Sequence, residues 1–295
     1  MPYYIRKLTE SGFTVIDYYK KDKPMVATKG GLLILFVSLV LVSVGSLTSE
    51  FPSATFRIVT VLTLFALAGI LDDLINIGRP AKLVMLYLFS FPLVGLIDTS
   101  IVTLPIFGSI DFGILYILAV VPIYVMVTAN LVNMHSGFNG LAAGTSSIIL
   151  VTLLIKSVMT NQTENIVAIT FITGATFAFL WYNRNPSKIF LGNIGALTLG
   201  SAIGILIVLQ GFLISGFVML IPHVINFLMY VYWRARRLPQ AKFGEVRDDG
   251  TIKAPNPLTL KWALPYYRKV TEKTATYVMF LLTAVFCGVG LFIPG

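Results

Sequence analysis

The stretch LFALAGILDDLINIGRPAK, Leu64 to Lys82, sets two carboxylates side by side, Asp72 and Asp73, at the edge of a run oily enough for a bilayer. Solvated acids that end a helix are one reading. It is a poor one, because the C-terminal end of a helix disfavours negative charge. Adjacent carboxylates also repel, and a bound cation or a raised pKa is the usual resolution. Lys82 follows Asp73 by nine residues, across a turn made by Gly78 and Pro80. Alone it reads as a lysine that sets membrane topology; beside a diphosphate it would neutralise non-bridging oxygens.

Three asparagines, Asn130, Asn133 and Asn139, flank the turn HSGFNG. The first two are three residues apart and so share a helix face. Capping explains one asparagine near a helix end, not three. Amide oxygens ligate hard cations, and amides also read nucleobase edges. His135 in the same turn could carry a proton, although a lone turn histidine is more often only solvated. Further on, FLGNIGALTLG places Gly192, Asn193 and Gly195 at the start of an apolar run. Exposed amide N–H groups there would seat an anion, and a plain helix start is the alternative. The segment RARRLPQAKFGEVRDDGTIKAPNPLTLKW offers Arg234, Arg236, Arg237 and Lys242 as a phosphate clamp, or as an anchor to anionic lipid.

The elements that must position these groups are membrane spans. The chain has 295 residues, 56% hydrophobic and 12% charged, with a mean hydropathy of +0.85. A soluble domain carries roughly a quarter charged residues. The composition predicts an all-α polytopic bundle, a single membrane domain over residues 1–295. Nine spans are expected, at about 30–49, 55–75, 82–97, 112–132, 138–158, 164–182, 192–209, 211–232 and 275–294. A polar segment, 1–29, precedes them, and a long basic loop, 233–274, precedes the last. One cysteine, Cys287, excludes a disulfide framework, and two distant histidines suggest no local zinc motif.

With the N-terminus in the cytoplasm and the C-terminus outside, all but Arg57 and Lys156 of the 22 basic residues fall on inner segments. That accounts for the net charge of +9 without nucleic acid. Every polar motif then lies on one face. A transporter is expected to place its site near the midplane, in repeated halves with broken helices, and no internal repeat is visible. The pattern points to chemistry at the cytoplasmic surface, where a water-soluble substrate meets a membrane-bound one. A transporter or flippase is the rival.

The motifs KPMVATKGG, LDDLINIGRPAK, NLVNMHSGFNGLAAG and FLGNIGALTLG, in this order, resemble those of the polyprenyl-phosphate N-acetylhexosamine-1-phosphate transferases. The resemblance runs across most of the chain. It implies transfer of a sugar-1-phosphate from a UDP-sugar to a polyprenyl phosphate in the cell membrane, with release of UMP and a requirement for Mg2+ or Mn2+. The form SGFNG, where bacterial members usually show DG pairs, looks closer to the eukaryotic and archaeal branch. UDP-GlcNAc and dolichyl phosphate are then the implied substrates.

Carried over by position, Asp72 and Asp73 are the implied catalytic pair, with Asp73 also at the metal. Asn76 and Lys82 are implied substrate contacts, Lys82 at the donor diphosphate. Asn130 and Lys242 join them as substrate-binding candidates, and Asn139 matches the position that contacts uracil. Asn133 and Asn193 match metal positions. Asn193 stands where the family has aspartate, so one negative charge is missing and cation affinity should fall. A member that binds nucleotide sugar without turning it over is the second alternative. The loop 233–274 lacks the family's histidine motif. The family commonly has ten spans and an outside N-terminus, which would start this chain near the first inner loop. Dimers occur in the family, leaving a homodimer as one option here.

Overall fold

The computed structural model describes residues 1–48, 53–75, 77–97, 99–104, 108–239 and 241–294, and the side chains of those other than 42–55 and 104. The chain opens with α1 (Pro2–Glu10) and a hairpin of β1 (Thr14–Ile16) and β2 (Met25–Ala27). Then come α2 (Gly31–Thr48), α3 (Ser53–Ile75) and α4 (Arg79–Phe89), and the hairpin β3 (Ile101–Leu104) with β4 (Gly108–Asp111). Next are α5 (Val121–Met134), α6 (Leu141–Met159), α7 (Ile166–Asn183), α8 (Gly192–Leu209), α9 (Leu213–Met219) and α10 (Ile221–Ala235). The hairpin β5 (Glu245–Val246) with β6 (Ile252–Lys253), then α11 (Leu260–Tyr267) and α12 (Glu272–Phe292), complete the fold.

Seven helical stretches are long and apolar enough to cross a membrane, and an eighth is the pair α9 and α10 taken together. The first part of α2, Gly31–Leu41, is a shorter apolar helix. The span expected at about 211–232 is a bent pair: α9 and α10 meet at 65°. Pro222 in the first turn of α10 has no N–H to continue the preceding helix, and its ring is at home at a helix start.

Helix α8 is the axis, with 83% of its apolar window buried. Lipid tails supply no hydrophobic force between spans, so close backbone approach and dispersion hold them. Glycines make that approach possible. A Cβ on Gly69 of α3 would lie 2.5 Å from Ile194 Cα, and one on Gly31 of α2 would lie 2.1 Å from Gly195 Cα. Further along α8, a Cβ on Gly200 would lie 2.6 Å from Ala129 Cα of α5.

The two segments read as polar extensions are folded. Backbone of 27–31 docks on the turn before α8: Phe190 N donates to Ala27 O at 2.7 Å, and Gly30 N to Phe190 O at 2.9 Å. A separate core of Tyr19, Phe138, Trp233, Ile252, Trp262 and Met279 joins the first hairpin, the α5–α6 turn, the 233–274 loop and α12. The long basic loop is thereby anchored over one end of the bundle.

Candidate active site

Asp72 and Asp73 occupy the last turn of α3, which ends at Ile75. The repulsion expected of the pair is met by three donor contacts. Lys82 Nζ lies 2.7 Å from Asp72 Oδ2, and the two side chains are only 11% and 12% exposed. Asn193 Nδ2 donates to Asp73 Oδ1 at 2.8 Å and to Asp72 Oδ2 at 3.3 Å. The turn before α8 can present Asn193 there because Gly192 has φ +73, a left-handed conformation suited to glycine. A Cβ on Gly192 would also press on Lys29 Cα at 3.3 Å and meet Asp73 Oδ2 at 3.7 Å.

Beside this cluster lies a cavity of about 620 Å³. Asp73, Asn133, Asn139, Asn193 and Lys242 all line it. Five of the expected site residues, from four separate parts of the chain, thus share one chamber. Its walls also carry aromatic rings: Tyr18 and Phe243 stack with centroids 4.0 Å apart, and Phe138 and Phe190 line the cavity as well.

Other expectations fall elsewhere. Asn130 does not line the cavity, and its Nδ2 donates back to Met126 O at 2.9 Å, so the shared face with Asn133 is not used as expected. Asp72 and Lys82 face each other just outside the cavity lining. Arg234, Arg236 and Arg237 are exposed at the end of α10 and do not line the chamber, leaving Lys242 from that loop. Asn76 lies outside the described residues. His135 is 2% exposed, and its ring stands 4.7 Å from that of His223. Burial first, then the neighbouring His223 and Lys261, hold the His135 pKa well below the usual range. It is a neutral, buried ring, not a proton carrier at the cavity.

The residues that sequence reasoning missed form a second polar cluster. Asp17 and Glu272 are each 4% exposed. Asn139 N donates to Glu272 Oε1 at 2.7 Å, and Asn139 Nδ2 donates to Asp17 Oδ2 at 2.9 Å and Glu272 Oε2 at 3.0 Å. Lys20 forms an ion pair with Glu272 and lies 3.5 Å from Asp17. In the sequence Glu272 looks like an ordinary acid in a helix first turn, after the Thr271 N-cap. Lys261 was also missed: half-buried against the α5–α6 turn, it donates to Ser136 O at 2.7 Å, and desolvation pushes its pKa down to about 8.

The α3–α8 cluster fits a hard divalent cation. Turning the Asn193 amide over would bring its Oδ1 to two carboxylates already in reach, an all-oxygen donor set of the kind Mg2+ takes. Among the described residues no group of three or more His, Cys, Asp or Glu converges, so the set holds two acids and an amide.

Residues 55–211 match the model of glycosyl transferase family 4. The chain is 31% identical, over 86% of its length and 80% of the relative's, to a Saccharolobus solfataricus protein provisionally named UDP-N-acetylglucosamine--dolichyl-phosphate N-acetylglucosaminephosphotransferase. A Sulfolobus acidocaldarius protein of the same name is 31% identical over 84% of this chain and 78% of its own. A phospho-N-acetylmuramoyl-pentapeptide-transferase of Halalkalibacterium halodurans is 34% identical over 62% of this chain and 60% of its own.

Proposed function

Because the chain belongs to glycosyl transferase family 4, we propose that it transfers N-acetylglucosamine-1-phosphate from UDP-GlcNAc to a polyprenyl phosphate of the dolichyl type. The observation that carries this reading is the shared chamber of Asp73, Asn133, Asn139, Asn193 and Lys242 at one end of an apolar bundle. A polar donor enters such a chamber from water while the acceptor's lipid tail stays among the spans. We place that end at the cytoplasmic face of the cell membrane, following the distribution of basic residues.

The chemistry needs positioning and charge neutralisation more than covalent help. An oxygen of the acceptor phosphate attacks the sugar-bearing phosphorus of the donor. The bond from that phosphorus to the bridging oxygen breaks, and UMP leaves with the electron pair. Asp73, in the chamber wall, orients the acceptor phosphate or takes its proton. Lys82 and Lys242 offset the diphosphate charge, and Asn139 meets the uracil end. Asp72, Asp73 and Asn193, with Asn133 nearby, would hold Mg2+ or Mn2+, which when bound supplies positive charge to the phosphate oxygens.

Purified protein with labelled UDP-GlcNAc, dolichyl phosphate and Mg2+ is expected to release UMP and form a lipid-linked sugar. Failure to form either, beside a working control enzyme, would overturn the reading. A member that binds without turnover is the second reading, favoured by the amide of Asn193 satisfying both aspartates where a third acid would recruit a cation. Asn193→Asp then distinguishes them. A silent protein made active supports the second reading. An active protein whose Mg2+ requirement merely falls supports the first, and melting temperature against Mg2+ concentration reads the cation independently of activity.

A further inference from the structure

We propose that a basic, aromatic-walled pocket at the rim of the bundle binds the phosphate of an anionic phospholipid, at a site separate from the candidate active site and reached from the bilayer.

The pocket, of about 290 Å³, lies where the C-terminal end of α7 meets the N-terminal end of α12. Arg184, Lys188 and Lys273 line it, together with Asn185, Trp181 and Tyr277, and among the described residues no carboxylate does. It shares no lining residue with the chamber that holds Asp73 and Asn193. All three cations are exposed, and among the described residues none forms an ion pair. Glu272, beside Lys273 in the chain, is already committed to Lys20, Asn139 and Asn185. Three like charges brought to one pocket repel, and an anion between them turns that repulsion into attraction.

The rest of the wall points to a lipid as the source of the anion. Arg184 Cζ lies 3.6 Å from the centroid of the Trp181 ring, and Lys273 Nζ lies 6.0 Å from that of Tyr277. These two rings are 63% and 57% exposed, and exposed Trp and Tyr at the ends of spans settle at the headgroup level of a bilayer. Exposed apolar side chains continue from each ring into its span, Phe177 on α7 and Leu281 and Val285 on α12. Each is four residues from the one before it, so it stays on the same helix face. A ligand with a phosphate at one end and acyl chains at the other meets both the cations and these faces. A free phosphate meets only the cations.

The test challenges the full-length protein in detergent with an equimolar mixture of phosphatidylglycerol and phosphatidylcholine, and reads retained lipid by native mass spectrometry. A basic residue near an anionic lipid surface is worth about fivefold in affinity, so the wild type should prefer phosphatidylglycerol by at least about 10-fold. In R184Q/K188Q/K273Q that preference should fall by at least about fivefold. In R6Q/K7Q/K21Q, which removes the same charge from exposed cations of α1 and the first hairpin, it should persist. An unchanged preference in the first variant, or an equal loss in both, would overturn the proposal. Equal retention of the two lipids by the wild type would overturn it without any variant having to fold. Inorganic phosphate binding as tightly as phosphatidylglycerol would overturn the lipid as the source of the anion.

Discussion

Two acidic clusters lie at the same end of this molecule, and they differ in what their charges are for. Asp72 and Asp73 end a helix and meet Lys82 and Asn193, and Asp73 lines the chamber. Asp17 and Glu272 are buried deeper and spend their oxygens on Asn139, Lys20, Asn185 and backbone N–H groups. The first pair can exchange partners with a ligand at little cost to the fold. The second pair ties four segments of chain together, and removing it leaves buried donors without acceptors. Function and stability should therefore separate between the clusters.

Glu272→Ala offers the hardest test. It strips Lys20 of its close partner and leaves the donors of Asn139 and Asn185 unmet, so we expect a loss of about 3–5 kcal/mol, read as a lower melting temperature in detergent. Asp73→Asn should invert that pattern. Turnover should fall by about 10²–10³, the scale of a lost charge-stabilising group, with melting temperature little changed; wild-type rates would remove Asp73 from the mechanism.

The backbone contacts beneath the first cluster can be broken separately. A Cβ at Gly31 meets the α8 backbone at 2.1 Å, so Gly31→Ala should cost about 1–3 kcal/mol and displace the turn carrying Asn193. Gly174→Ala, where the Cβ meets nothing within 4 Å, should instead gain up to about 1 kcal/mol from helix propensity. Equal melting temperatures for the two would refute the packing account.

The smallest effect concerns pH. Burial lowers the Lys261 pKa to about 8 in the folded protein, against about 10.4 for an unperturbed lysine. Between those values the unfolded chain binds more protons, so stability should rise with pH through that window. Lys261→Met removes the titrating group, so the stability of wild type relative to the variant should rise as pH climbs from 8 to 10. A constant difference would show that Lys261 is not desolvated as its burial implies.

Much of the plan was legible in the chain itself. Apolar run length identified the helical spans, because a bilayer admits only backbone that satisfies its own hydrogen bonds. Local chemistry marked Asp72, Asp73, Asn133, Asn139, Asn193 and Lys242, since costly polar groups beside membrane-grade sequence need a purpose. What stayed hidden has a common cause. Asn130 shares a helix face with Asn133 by spacing, yet its amide is consumed by its own helix. The bend between α9 and α10 needed a decision between two conformations that Pro222 alone does not force.

The clearest division is at Asn139. Sequence alone determined that an amide stands in a glycine turn, because residue type and local spacing are properties of neighbours in the chain. Only the tertiary structure decided which groups that amide is bonded to. Its partners, Asp17 and Glu272, are 122 and 133 residues away. Packing of the first hairpin, the 233–274 loop and α12 around one core brings them together, and no local pattern encodes a hydrogen bond made by that docking.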